Sequence, residues 1–168
     1  QIDVDRKWFK KFFFNFFADT PTVNVLLPEK ELKEINATTD NGDILVENVK
    51  VENFIGETDN GNIEAKKMEV EDFIGEADNG DMVLEEITSK VITTELNNGD
   101  IIIKNSIGTI EGESDNGDIS IYTNVLEEAM ELKTDNGSIN IETKKEPSNL
   151  FIDVKTDHGK VSVFGKDN

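Results

Sequence analysis

A four-residue motif built on Asp-Asn-Gly recurs seven times at a nearly fixed interval, and no other feature of the chain limits its fold so tightly. The copies are Asp40-Asn41-Gly42-Asp43, Asp59-Asn60-Gly61-Asn62, Asp78-Asn79-Gly80-Asp81, Asn97-Asn98-Gly99-Asp100, Asp115-Asn116-Gly117-Asp118, Asp135-Asn136-Gly137-Ser138 and Asp157-His158-Gly159-Lys160. Successive glycines are 19, 19, 19, 18, 20 and 22 residues apart. A fixed period of this length marks one supersecondary unit repeated along the chain. Asn and Gly both tolerate positive φ, so the pair makes a tight turn between extended segments. The Asp before it is expected to accept N–H groups of its own turn.

The flanks alternate with period 2, as strands with one buried face do. Two residues after each Gly stand Ile44, Ile63, Met82, Ile101, Ile119, Ile139 and Val161. Two further on stand Val46, Ala65, Leu84, Ile103, Ile121, Ile141 and Val163. Seven residues before each Gly stand Ile35, Phe54, Phe73, Ile92, Ile110, Met130 and Ile152. Val49, Met68 and Ile87, with Val51 and Val70, lie between. The expected fold is all-β: a single-stranded β-solenoid of about seven coils, one 19-residue repeat per coil. An antiparallel meander or sandwich of hairpins is the alternative. The solenoid is preferred because stacking equivalent positions turns each column into a uniform apolar ladder. A bend near Phe54-Ile55-Gly56-Glu57 and Phe73-Ile74-Gly75-Glu76, and another near Glu47-Asn48 or Lys66-Lys67, would divide each coil into three short strands. One coil buries too few side chains to offset the entropy of ordering it, so the array is expected to be stable only as several coils.

Two segments are expected. Residues 21–168 form the repeat domain. Residues 1–20 depart from the repeat and hold six of the ten Phe residues and the only Trp. On a helix, Trp8, Phe9, Phe12, Phe13, Phe16 and Phe17 would share one apolar face, with Arg6, Lys7, Lys10 and Lys11 beside it. Two readings follow: a cap over the first coil, or an interfacial helix that contacts a membrane surface or a partner.

The formal net charge of −19 opposes nucleic-acid binding, which needs clustered Lys and Arg to release counterions. The chain has no Cys and one His, His158, which fills an Asn slot in a turn. A Ser-His-Asp or Cys-His triad and a His- or Cys-ligated zinc site therefore find no residues to assemble from. No phosphate-loop motif is present. Carboxylates remain. Asp40, Asp59, Asp78, Asp115 and Asp135 would form a ladder, with Asn97 in the missing place. Rungs about 4.8 Å apart repel by about 1 kcal/mol in water, so something should offset the charge. A Ca²⁺ ladder on those five residues is the functional candidate. It is weakened by the column after Gly, where Asp43, Asn62, Asp81, Asp100 and Asp118 give way to Ser138 and Lys160. A polysaccharide-active enzyme would need paired carboxylates in a groove, and nothing breaks the repeat to make one. No catalytic residue, no other cofactor and no small-molecule substrate are expected.

Runs such as Thr58-Asp59-Asn60-Gly61-Asn62-Ile63 and Ser114-Asp115-Asn116-Gly117-Asp118-Ile119 resemble the S/T-x-x-G-D/S-I repeats of the DUF4097-type family of bacterial adhesin-like proteins. That family is related to the head domains of autotransporter adhesins. The resemblance covers about residues 35–164. It implies a β-solenoid outside the bacterial cytoplasmic membrane, on the cell surface and often behind a membrane anchor. It also implies an association with envelope stress, and offers no active site to carry over. Gln1 is not an initiator Met, so an anchoring segment upstream is expected. The expected function is a non-catalytic extracytoplasmic surface or interaction module, adhesin-like or an envelope-stress scaffold. Its partner would be an unknown protein or cell-envelope component. A Ca²⁺-stabilised structural solenoid is the alternative.

Overall fold

A computed structural model describes residues 13–15, 22–24, 32–145, 147 and 150–167. Every regular element among them is a strand. Phe13–Asn15 (β1) and Thr22–Asn24 (β2) pair antiparallel. The array proper begins with Leu32–Asn41 (β3) and continues through Ile44–Asn60 (β4), Ile63–Asn79 (β5), Met82–Asn98 (β6), Ile101–Lys104 (β7), Ile107–Asn116 (β8) and Ile119–Thr123 (β9). Met130–Asn136 (β10), Ile139–Thr143 (β11), Ile152–His158 (β12), Val161–Val163 (β13) and Lys166–Asp167 (β14) complete it.

The register decides between the two architectures. Ile44 pairs with Ile63, Ile63 with Met82, Met82 with Ile101, Ile101 with Ile119 and Ile119 with Ile139, all in parallel. Asn41, Asn60, Asn79, Asn98, Asn116, Asn136 and His158 stack in the same way. A meander would pair consecutive segments antiparallel. Here one turn of chain separates paired residues, so the fold is a β-solenoid of about seven coils.

The 17-residue strands are not straight. Asn48, Lys67, Glu86 and Asn105 have left-handed φ of 57°, 53°, 56° and 47°. One such residue in an otherwise extended segment turns the chain through a corner. This is the bend expected near Glu47-Asn48 and Lys66-Lys67. The bend expected at Phe54–Glu57 is absent. Phe54, Ile55, Gly56 and Glu57 pair one-to-one with Phe73, Ile74, Gly75 and Glu76 in an unbroken ladder. Gly56 makes room rather than a turn: a Cβ there would lie 3.0 Å from the Phe54 ring. Phe54 and Phe73 stack at 5.0 Å between centroids and 22° between planes. Where the large residue is Ile92, the residue two further on grows to Thr94. Gly112 instead follows Ile110 and makes room for the next coil, where a Cβ would lie 3.0 Å from the Leu132 side chain, so volume is shared between coils as well as within one.

The apolar columns identified from sequence are the core. Ile63, Met82, Leu84, Phe54, Phe73, Ile92, Ile119 and Ile139 have no solvent exposure. At the ends, Ile35, Val46, Ile152, Val161 and Val163 are only half-buried. A second inward column is mostly polar and was not anticipated: Thr39, Thr58, Ala77, Leu96, Ser114, Thr134 and Thr156. Thr58, Ser114 and Thr134 are buried, and each donates its hydroxyl to the Gly carbonyl one coil back, at 3.2, 3.0 and 2.9 Å. Thr156 does the same to Gly137 at 2.8 Å. A buried hydroxyl needs such a partner. Ala77 and Leu96 were the available clue, because an apolar residue in that column places it inside.

Departures from the 19-residue period are absorbed locally. In the short coil the Ser106 hydroxyl accepts the Ile87 N–H at 3.1 Å and donates to the Lys104 carbonyl at 3.1 Å, replacing a lost ladder bond. The longer coils bulge after Thr123 and Thr143, and Leu126 of the first bulge is buried. At the C-terminal end, β14 folds back antiparallel on β13.

The N-terminal aromatic segment is described only at Phe13–Asn15, which is strand rather than helix. Trp8, Phe9, Phe12, Phe16 and Phe17 lie outside the described residues. Of Phe13, only the backbone is described.

Candidate functional site

Each turn places three side chains at the rim of the array, two before its Gly and one after, and the structure gives them different work. The Asn amide donates to the Asn Oδ1 one coil back: Asn60 to Asn41 at 3.2 Å, Asn79 to Asn60 at 3.2 Å, Asn98 to Asn79, Asn116 to Asn98 and Asn136 to Asn116 each at 3.1 Å. The residue after Gly accepts the backbone N–H of its counterpart one coil on: Asp43 from Asn62 at 2.8 Å, Asn62 from Asp81 at 2.9 Å, Asp81 from Asp100 at 2.9 Å, Asp100 from Asp118 at 2.8 Å and Asp118 from Ser138 at 2.7 Å. This column needs a short side chain with an acceptor, not a charge, which is why Asn62 and Ser138 serve in it. Its carboxylates are committed to inter-coil bonding.

The remaining rim column holds the five candidates Asp40, Asp59, Asp78, Asp115 and Asp135. All point outward, and none accepts an N–H of its own turn among the described residues, so the expected local turn bond is replaced by other contacts or by solvent. Asn97, which interrupts the column, donates to Asp78 Oδ1 at 2.8 Å and offsets its charge. Asp135 faces Lys133 at 3.5 Å. Asp40, Asp59 and Asp115 have no side-chain partner among the described residues. Among those residues no three carboxylate or His groups converge on a common point as a metal site requires.

Sequence reasoning missed the second half of this acidic face. Glu57, Glu76, Glu95 and Glu113 form a parallel outer column two residues before the Asp column. Together they line a shallow depression of about 230 Å³ containing Glu57, Asp59, Glu76, Asp78 and Glu95. The period-2 spacing of Glu57 and Asp59 was the available signal. The stripe ends at the sixth coil. There Lys133 replaces Glu and bonds to Glu113, which holds the Lys133 ammonium above its ordinary range. On another side, a depression of about 290 Å³ is partly neutralised by the pairs Lys50–Glu69 at 3.1 Å and Lys90–Glu71 at 2.8 Å, with Glu52 beside them.

Burial first, then the carboxylates of Glu57 and Glu95, push the Glu76 carboxyl above the ordinary carboxylate range. Between its unfolded and folded values the folded chain holds a proton that the unfolded chain has released. Stability therefore falls as pH rises through that window and recovers as pH drops back through it. Glu76→Gln is expected to raise the melting temperature at neutral pH by about 1–3 °C, the range of one exposed charge interaction. The gain should vanish below the carboxylate range, where Glu76 is neutral in both states. Melts across pH check this, and a gain that persists in acid would show that charge is not its source.

No curated protein and no solved structure matches the chain. The family model described as Toastrack DUF4097 matches residues 1–168. With the family repeat's Ser/Thr accounted for as the buried donor to a neighbouring turn, and its Gly and acidic residue as the turn and its inter-coil acceptor, the chain belongs to the Toastrack DUF4097 family.

Proposed function

We propose that this protein is a non-catalytic, extracytoplasmic interaction module of the bacterial cell surface, and that the stripe from Glu57 to Asp115 is its contact face. The observation that carries the reading is the regular presentation of carboxylates on a stiff scaffold. Glu57, Glu76, Glu95 and Glu113 repeat at the strand spacing, with Asp59, Asp78 and Asp115 alongside, and no Lys lies in these two columns until Lys133. A row of like charges on one face concentrates a field that attracts a cationic partner and raises its association rate. The resemblance to adhesin-like repeats supports the setting in this reading, a bacterial envelope protein of adhesin-like or envelope-stress type held near the membrane.

The test compares the unaltered chain with a variant carrying Glu57→Gln, Asp59→Asn, Glu76→Gln and Asp78→Asn. Both are titrated with a lysine-rich peptide and applied to envelope fractions of the source bacterium. Binding should weaken with added salt and drop at least about tenfold in the variant, since several charge contacts are lost together. Equal binding by the two proteins would overturn the assignment of the face. Digestion by protease added to intact cells tests the location, and protection until lysis would contradict it.

The carboxylates of Asp40, Asp59 and Asp115, without a side-chain partner among the described residues, favour a second reading, in which Ca²⁺ bridges adjacent rungs and stabilises the array. It predicts a melting temperature that rises by several degrees with millimolar Ca²⁺ and falls again with chelator. An unchanged melt would remove it.

A further inference from the structure

The turn motif that builds the array is also a chemically reactive sequence. Asn-Gly is the dipeptide most prone to lose its side-chain amide, because glycine leaves the following backbone nitrogen unhindered. That nitrogen, deprotonated, attacks the Asn Cγ. An N–Cγ bond forms, the Cγ–Nδ2 bond breaks, and the side-chain nitrogen leaves as ammonia after taking up a proton. Water then opens the succinimide at either carbonyl to give aspartate or isoaspartate. One water is consumed and one ammonia released. The chain carries six such dipeptides, all exposed at the rim.

The inter-coil bonds decide which of them can react. Each glycine nitrogen is tied to the carbonyl one coil on: Gly42 to Asn60, Gly61 to Asn79, Gly80 to Asn98, Gly99 to Asn116, Gly117 to Asn136 and Gly137 to His158, at 2.9–3.1 Å. The side chains of Asn60, Asn79, Asn98 and Asn116 are held at both ends, Oδ1 by the coil above and Nδ2 by the coil below. Among the described residues the two outermost are held at one end only. Among the described residues Asn41 Nδ2 has no acceptor, and Asn136 Oδ1 has no donor because His158 fills the Asn slot above it. Fraying of the first or last coil, where Ile35, Val46, Ile152 and Val161 are only partly buried, would release their glycine nitrogens. An interior site opens only if the array parts in the middle.

We infer that Asn136 and Asn41 are the native deamidation sites of this protein, and that the Asn ladder protects the four between them. Reaction at Asn136 puts a carboxylate against Asn116 Oδ1, removes the donor that clamps it, and, as isoaspartate, lengthens the backbone by one atom. Loss therefore proceeds inward from the ends, with Asn116 following Asn136.

The experiment incubates the folded chain in mildly alkaline buffer and maps aspartate and isoaspartate at all six sites by mass spectrometry, beside a urea-unfolded sample. Asn136 and Asn41 should react at least about tenfold faster than the interior four, as an opening free-energy difference of about 1.4 kcal/mol gives. In urea the six rates should converge. Equal rates along the folded array would overturn the inference. His158→Asn extends the ladder by one rung and should slow Asn136 while leaving Asn41 unchanged. A folded variant with Asn136 as fast as before would overturn the clamp.

Discussion

Replacing Gly99 with alanine is expected to destabilise the array by about 3–5 kcal/mol and lower its melting temperature by about 10 °C or more. Two penalties coincide there. The backbone has φ of 147°, which side chains other than glycine rarely adopt. An added Cβ would lie 2.0 Å from the Gly80 carbonyl oxygen and 2.6 Å from its carbon. The obstacle is backbone, so no side chain can swing away. Relief requires the two turns to part by more than an ångström. That lengthens the Gly80 N–H bond to the Asn98 carbonyl and the Met82 N–H bond to the Asp100 carbonyl, now 3.0 and 2.9 Å. Because neighbouring coils stabilise each other, a weak joint in the middle also threatens cooperativity. Urea and thermal unfolding followed by circular dichroism should show the lower midpoint, with a broadened or split transition. Gly165→Ala is the control. Its φ is 70° and nothing lies within 4 Å of an added Cβ, so only the left-handed backbone penalty applies, about 1 kcal/mol. Equal losses at the two sites would show that close approach of the coils is not what demands glycine in the turn.

Phe73→Ala should cost about 3–5 kcal/mol, toward the upper end for a buried aromatic. Phe73 is fully buried and stacked on Phe54. Its neighbour in the coil, Gly75, has no side chain to move into the space. The ladder on either side fixes the backbone, so the cavity cannot collapse by shifting a strand. The next coil holds the alternative solution, Ile92 with Thr94. Phe73→Ile alone should leave part of the cavity. Phe73→Ile with Gly75→Thr should recover about 1 kcal/mol of the loss, read as a coupling energy in a double-mutant cycle. The Met82 thioether end, 2.7 Å from a Cβ on Gly75, is flexible enough to move aside. Additive effects would show that the two positions do not share one volume.

Much of the fold was legible in the sequence because a repeat states its own rule many times. The Ile44–Val161 and Phe54–Ile152 columns identified the buried faces before any coordinates. The corner at Asn48 and Lys67 was also foreseen. The supposed bend at Gly56 was not a bend, because a glycine leaves the same mark in a sequence whether it turns the chain or yields space to a ring. The Thr58, Ser114 and Thr134 column was not singled out as inward, because hydroxyl side chains are usually exposed. The Asp column drew attention as a candidate site for its charge. The Glu column beside it, from Glu57 to Glu113, passed as ordinary solvated alternation.

The sequence alone determined the period, the turn and the inward columns, which follow from local geometry: alternation at two residues, and Asn-Gly at a tight turn. It also determined the excess of negative charge. The tertiary structure decided what each turn residue does, because its partners lie one coil away, 18 to 20 residues along the chain. A local pattern cannot show whether a carboxylate bonds its own turn or the next, whether an Asn is clamped at one end or both, or whether a glycine meets a carbonyl or open space. Stacking the coils settles all three, and it divides the acidic rim into carboxylates already bonded to the array and a stripe that faces outward.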